Sequence, residues 1–487
     1  MIFADPKLRK KIKKVLLINL HGKIMITEEG SRERKLAVPP LGLAYLAAAI
    51  TGIKIDVEVL DILIEGYDQE TSKNNVVVYG LNNAQIKERI DASQADMVGI
   101  SCLFSNRGKE ALDVCRMVRE VSPFAHIAAG GQHFSGITEL IKRQELDYIL
   151  VGEADNSFVD LINAINQQDD LTKVDGIVLY RGKQIWQTPK KCFPNVCKLP
   201  YPQWELFSLE KYWATGVIDY ELSDHAKKFM TMVTSRGCPH NCYFCTKSLM
   251  SGRRYRERDV EDVLNEIKLY WQTYDLKKIY FWDDNFFVNK NRVKILLTQL
   301  YNRFPGFRFQ VTSGTEVNAL DDEVIDLMGK AGFDKVFLAI ETVNQELQDR
   351  LIDKKVSIAR IKELVIKIKS AGIVAEGSFM VGFPGETKAQ MDATFEMATK
   401  LGLDRISISI VNPLPGTMLY DQCAREGLFF PDFDGENIRW SMENIRLDAV
   451  PRGYIAQKRR EVWESYMKER IDIQTYETQG FSHSQNK

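Results

Sequence analysis

Short apolar runs alternate with longer stretches of helical periodicity along most of this chain. From Val15 to about Ile165 the strand candidates are Val15–Leu20, Ile55–Leu60, Met97–Ser101, His126–Ala129 and Tyr148–Val151. Helical stretches such as Leu41–Ile50, Lys109–Val121 and Ile137–Arg143 lie between them. This alternation predicts a doubly wound, flavodoxin-like α/β domain over residues 1–165. Ligands of such sheets sit beyond the carboxyl ends of the strands. Residues 166–227 break the rhythm: Val174–Tyr180 and Gln184–Thr188 flank Arg181-Gly182-Lys183 as a small hairpin, and a connector bearing Pro194, Pro200, Pro202 and Trp204 reads as a linker.

A second series follows over residues 228–427. Its strand candidates are Phe229–Thr234, Lys278–Trp282, Phe307–Thr312, Lys335–Ile340, Val374–Val381 and Arg405–Val411. Helices fit between them at Val260–Tyr274, Lys290–Arg303, Asp322–Ala331, Ile358–Ala371 and Lys388–Leu401. Six βα units are too few for a closed eightfold barrel and predict a partial one, open on one side. Residues 428–487 are polar and helix-prone, with one helix expected over Tyr454–Ile471 and a disordered tail after Thr475.

Composition adds exclusions. With 65 basic and 66 acidic residues the formal net charge is -1, which argues against a general nucleic-acid binder. No apolar run approaches the ~18 residues of a membrane span. The basic start, with Lys7, Arg9, Lys10 and Lys11, reads as a solvated leader; the run Val15–Leu20 is too short for a signal peptide. A cytoplasmic protein is expected.

Eight cysteines in 487 residues do not make a disulfide scaffold. Cys102, Cys115, Cys192, Cys197 and Cys423 are scattered and read as structural thiols. The other three stand in Ser235-Arg236-Gly237-Cys238-Pro239-His240-Asn241-Cys242-Tyr243-Phe244-Cys245, directly after a strand. Thiolates are the soft ligands of iron–sulfur clusters, and a short loop can wrap three corners of a cubane. Three ligands leave one iron open to a substrate or cofactor. A closed zinc site needs four ligands, and His240 as the fourth would strain the loop.

This CxxxCxxC loop, with Phe244 before its last cysteine, resembles the radical S-adenosylmethionine superfamily over about Phe229 to Gly427. The resemblance implies a [4Fe-4S] cluster on Cys238, Cys242 and Cys245. S-adenosyl-L-methionine would bind the open iron and be cleaved to a 5′-deoxyadenosyl radical. Later strands end in Asp283-Asp284-Asn285, Ser313 with Glu316, Glu341-Thr342, Gly382-Phe383-Pro384-Gly385-Glu386 and Asn412-Pro413. By resemblance Phe244, Asp283, Ser313 and Glu341 are cofactor-binding, with Asp283, Ser313 and Glu341 assigned to the sulfonium's amino group and ribose. Read plainly, Asp283 and Asp284 could instead cap a helix, and Pro-Gly-Glu could be a turn.

The N-terminal strand ends, Asp61, Ser101-Cys102-Leu103, Gly130-Gly131 and Gly152-Glu153, resemble the cobalamin-binding domain of one branch of that superfamily. That branch contains anaerobic magnesium-protoporphyrin cyclases and hopanoid and antibiotic C-methylases. Ser101, Leu103, Gly130, Gly131 and Glu153 are then the cobalamin contacts, small residues giving the nucleotide tail a close approach. GxGxxG is absent, which argues against a dinucleotide site. DxHxxG is absent too, so His21 and His133 are poor cobalt ligands and base-off binding is expected. The resemblance implies methylation of an unactivated carbon in a small-molecule, lipid or peptide substrate, with a flavodoxin or ferredoxin as reductant. Oxidative cyclisation or rearrangement is the alternative. A tRNA methylthiotransferase is more distant, because no second three-cysteine cluster is visible.

Overall fold

The computed structural model describes residues 11–26, 32–73, 75–215, 228–352, 356–435 and 438–468. Two compact units divide near Lys228. The basic residues Lys7, Arg9 and Lys10 and the expected tail after Thr475 lie outside the described residues.

The first unit is built on a seven-stranded sheet. Its five parallel strands are Lys14–Asn19, Asp56–Asp61, Met97–Ser101, His126–Gly130 and Tyr148–Leu150. Numbered in chain order they lie as 2-1-3-4-5, with connections running outward in opposite directions from the central pair. That reversal opens a crevice at the carboxyl ends of the first and third strands, where sheets of this order take their ligands. Val15, Leu16, Leu17 and Ile18 are all fully buried, as a central strand covered on both faces requires.

Two features depart from the expected layout. The hairpin Ile177–Arg181/Gln184–Gln187 is not part of a linker; it pairs antiparallel with Tyr148–Leu150 and ends the main sheet. A separate antiparallel sheet, Gly22–Met25, Val76–Tyr79 and Glu70–Lys73, was not expected at all. It closes over a small core of Ile24, Ala37, Leu63, Ile64, Val77, Tyr79 and Tyr212. The expected helix Ile137–Arg143 is a 3-10 segment, Thr138–Lys142.

Tyr212, from the helix Leu209–Thr215, inserts into this unit. Its hydroxyl donates to Asp61 Oδ2 (2.6 Å), and Asn19 Nδ2 donates to Asp61 Oδ1 (2.8 Å). The residues taken for a connector therefore complete the core beside the strand ends.

The second unit holds six parallel strands in chain order: Met230–Met232, Lys278–Phe281, Arg308–Val311, Phe333–Glu341, Val374–Val381 and Arg405–Ile410. This is the open partial barrel. Rings of Phe281, Phe309 and Phe333 stack through its interior at 5.7–5.8 Å. The helix Tyr454–Lys468 covers the last strand, where Arg459 Nε donates to Ile408 O (2.5 Å) and Tyr466 donates to Leu403 O (2.6 Å). Covering an edge strand blocks unwanted pairing.

Burial pushes the Asp61 carboxyl from its ordinary 3.8 to about 6, although bonds from Tyr212, Asn19 and the Ile64 amide oppose the shift. The folded state then holds that proton more tightly than the unfolded chain. The contribution is complete below about pH 4 and is lost as pH rises through about 6, an effect of roughly 3 kcal/mol at most. Asp61→Asn removes this titration. Thermal melts of both proteins from pH 4 to 7 should show wild type losing stability relative to the variant; a constant difference would contradict the linkage.

Candidate active site

The cysteine loop begins where the first barrel strand ends. Cys238, Cys242 and Cys245 are half-buried and take part in no disulfide. Gly237 enters the loop with φ +88°, and a Cβ there would lie 2.3 Å from the Arg254 carbonyl oxygen, so only glycine fits. Tyr243 fixes the far side: its N–H donates to Leu351 O (2.9 Å), its carbonyl accepts from Leu419 (3.1 Å), and its hydroxyl donates to Gln422 (2.6 Å). His240 Nε2 is 2.8 Å from Glu316 Oε2, so the imidazole has a partner other than a metal. Among the described residues no three His, Cys, Asp or Glu side chains converge as one metal ion requires. A cubane asks for a wider set, because its thiolates bind separate irons.

Three consecutive residues after the second strand hold this loop. Asp283 is 1% exposed and accepts from the Thr234 amide (3.1 Å), the Thr234 hydroxyl (2.8 Å) and the Ser235 hydroxyl (2.5 Å). Asp284 accepts from Gly237 N–H (2.8 Å) and Lys247 Nζ (2.5 Å). Lys247 holds the Asp284 carboxyl below the usual range despite burial, whereas burial raises Asp283. Asn285 Nδ2 lies 3.9 Å from Cys238 Sγ.

Around them, polar atoms are buried without partners: Ser313 Oγ, Thr315 Oγ1, Trp282 Nε1, Asn285 Oδ1 and Glu386 Oε1. Such orphans are costly unless a ligand or water satisfies them. Glu386 accepts through Oε2 from the amides of Gly382 (2.7 Å) and Phe383 (3.0 Å), and burial lifts its carboxyl to about 7. Glu341 ends the fourth strand with φ +64°, at a break in register between Ala339 and Glu341. A left-handed glutamate costs ~1–3 kcal/mol, the kind of strain found where side chains are aimed for function. The Phe244 ring meets Phe383 at 5.9 Å.

In the first unit the registered pairs Asn19↔Asp61, Asn19↔Ser101 and Ser101↔Gly130 line up the carboxyl ends of four strands. Beyond them Leu103 is 51% and Phe104 53% exposed. His21 Nδ1, Ser105 Oγ, Asn106 Oδ1 and His133 Nδ1 are buried and unpartnered. Arg107 stacks on Phe104 at 5.3 Å and makes no ion pair with a described carboxylate; burial lowers its pKa. An apolar shelf edged with unsatisfied amide, hydroxyl and cationic groups suits a large, flat ligand bearing amides and a phosphate. Glu153 lies half-buried after the last parallel strand.

The Radical SAM superfamily pattern matches residues 232–398, and the B12 binding domain pattern matches residues 31–162. The chain is 30% identical to the uncharacterized methyltransferase PH0819 of Pyrococcus horikoshii over 393 residues, 80% of this chain and 79% of that protein. It is 26% identical over 430 residues to the cytidylyl-2-hydroxyethylphosphonate methyltransferase of Streptomyces wedmorensis, covering 81% and 79%. Among solved structures it is similar to TsrM of Kitasatospora setae, a radical S-adenosylmethionine methyltransferase with cobalamin and a [4Fe-4S] cluster bound. That match has a TM-score of 0.73 at 16% identity and covers 94% of this chain and 92% of that one, a likeness of fold. The chain belongs to the cobalamin-binding radical S-adenosylmethionine family. It is an enzyme family whose cofactors are the [4Fe-4S] cluster, S-adenosylmethionine and cobalamin. No helix among the described residues is long and apolar enough to cross a membrane.

Two of the expected cofactor contacts have structural duties of their own. Asp283, grouped by resemblance with Ser313 and Glu341 for the sulfonium's amino group and ribose, is buried and already accepts from Thr234 and Ser235. Gly131, expected to make room for the corrin tail, has φ +89°, and a Cβ there would lie 2.5 Å from Cys102 O. Its glycine serves the packing of two loops. Gly130 is different, since a Cβ there would meet only Leu150 O at an ordinary 3.5 Å. Arg107 and Tyr212 were not singled out from the sequence; an arginine near a strand end and a tyrosine in a connector carry no local signal.

These glycines separate folding from cofactor contact. Gly131→Ala should lower the stability of the cobalamin-free protein by roughly 1–3 kcal/mol. Gly130→Leu should leave the cobalamin-free melt nearly unchanged and weaken cobalamin binding at least tenfold, read from the visible absorbance of the bound corrin. Equal stability losses in both variants would refute the distinction.

Proposed function

We propose that this chain methylates an unactivated carbon of a small-molecule, lipid or peptide substrate. The observation that carries the reading is the half-buried cysteine loop, braced by Asp283 and Asp284, with unpartnered polar atoms buried at the following strand ends of the same barrel. When bound, the cluster would supply one electron and S-adenosylmethionine the hydrogen-abstracting group, while cobalamin would supply the methyl group and be remethylated by a second S-adenosylmethionine.

In this reading Cys238, Cys242 and Cys245 hold three irons and leave one open. Ser313, with its unsatisfied hydroxyl, and the strained Glu341 orient the polar part of S-adenosylmethionine, while Phe244 packs beside it. Asp283 is a positioning residue that keeps Thr234 and Ser235 in place beneath the loop. Ser101, Leu103, Gly130 and Glu153 contact cobalamin in the first unit. Neither histidine serves as a lower ligand: His21 Nε2 is taken by Leu81 O (3.0 Å), and a Cβ on Gly108 would lie only 2.4 Å from His133 Nε2, so that ring is wedged against backbone. A cytoplasmic flavodoxin or ferredoxin is the natural electron source, and no nucleic-acid partner is proposed.

Anaerobically reconstituted wild type should hold about four irons per chain, and Cys242→Ala should lose them. The variant should still bind cobalamin, because the two sites stand on separate compact units, yet form no 5′-deoxyadenosine. Label from methyl-labelled S-adenosylmethionine should enter product when candidate lipids, porphyrins and peptides are supplied with reductant. Turnover without label in the product would replace methylation with cyclisation or rearrangement.

A further inference from the structure

The motif after the second barrel strand carries three polar side chains, and each reaches a different part of the cysteine loop. Asp283 takes the strand end at Thr234 and Ser235, and Asp284 takes Gly237 and Lys247. These bonds brace backbone amides, hydroxyls and a lysine around the loop, and none of them reaches a cysteine sulfur. Asn285 differs, because its amide N–H points at a ligand atom, Cys238 Sγ, at 3.9 Å. Asn285 is 4% exposed, and its backbone is anchored by the next two residues, Phe286 and Phe287, both fully buried. Phe286 packs on Phe281 at 5.1 Å and Phe287 on Phe286 at 5.0 Å. An amide held this rigidly, 47 residues from the cysteine it meets, is not a loop contact made by chance.

We propose that Asn285 tunes the reduction potential of the cluster by donating a hydrogen bond to the Cys238 thiolate. The inference rests on the cluster reading above and adds a residue role to it. A cluster gains one negative charge when it takes up one electron, and part of that charge resides on the cysteine sulfurs. A dipole whose positive end faces Cys238 stabilises the reduced state more than the oxidised one, and burial strengthens the effect. Residues just outside the metal ligands commonly tune a centre this way. Chemistry also explains the residue type: an aspartate of the same shape would set a second negative charge against the thiolate. Lys247 also acts on Cys238 and Cys245, but its ammonium is paired with Asp284, so the net charge it presents to the cluster is partly cancelled. Asn285 is thus a positioning and tuning residue, not a ligand.

The test compares reconstituted wild type, Asn285→Leu, Asn285→Asp and Asn285→Gln in EPR-monitored redox titrations, each with its iron content measured. At a fixed poise Asn285→Leu should show a roughly tenfold lower ratio of reduced to oxidised cluster, a fall of ~59 mV for a one-electron couple. Asn285→Asp should fall further, and Asn285→Gln, which keeps a donor amide, should recover part of the loss. Equal potentials across iron-loaded variants would overturn the tuning while leaving the cluster intact. Loss of iron in all three variants would also overturn it, by making Asn285 a brace the loop cannot fold without. A wild type that holds no iron would sink the cluster reading itself, and the tuning with it.

Discussion

A buried carboxylate that accepts from the end of one strand and the start of one loop sets the geometry of the second unit. Asp283 costs solvation when it is buried, and it recovers that cost only while Thr234 and Ser235 donate to it. Arg292 reinforces the same corner, with Nη2 donating to Thr234 O (3.1 Å) and Nε to Arg258 O (2.9 Å). The strand end therefore has one satisfied arrangement, and the cysteine loop starts from it. Everything the cysteines can do depends on this corner being closed before a cofactor arrives.

The two units solve the same problem with different means. Each presents its chemistry at the carboxyl ends of parallel strands, where backbone N–H and C=O groups leave the ladder and side chains can converge. In the barrel, charged side chains brace the loop and the orphaned hydroxyls of Ser313 and Thr315 stay free beside it. In the first unit, the braces are smaller. Gly131 fits beneath the Cys102 carbonyl, Gly152 N–H donates to Ser135 (3.0 Å), and Tyr212 seals Asp61. That leaves Leu103 and Phe104 as an exposed apolar shelf beside these strand ends.

Burial also separates groups that look alike in sequence. Asp283 and Asp284 are adjacent, yet one carboxyl is raised by desolvation and the other lowered by Lys247. The neutral-leaning Glu386 and the strained Glu341 stand at neighbouring strand ends with different backbone constraints.

Much of the fold was legible because its signals are local. The helices Val260–Tyr274, Lys290–Arg303 and Asp322–Ala331 match the expected limits residue for residue, since apolar periodicity and end signals lie within each segment. The cysteine spacing is equally local, and it alone pointed to a three-ligand cluster with an open iron. What lay hidden depends on pairing across the chain. The strand Glu70–Lys73 is exposed throughout and has no apolar alternation, so only its partner Val76–Tyr79 makes it a strand. The hairpin at Ile177–Gln187 looked free until Tyr148–Leu150 was seen to pair with it. The left-handed turn at Glu341 and the reach of Asn285 to Cys238 follow from register and packing between strands. Sequence alone determined which segments fold and where the thiols stand; tertiary structure decided which polar groups are already spent on holding the chain and which remain free for a ligand, because a hydrogen bond made across the fold removes a side chain from any other use.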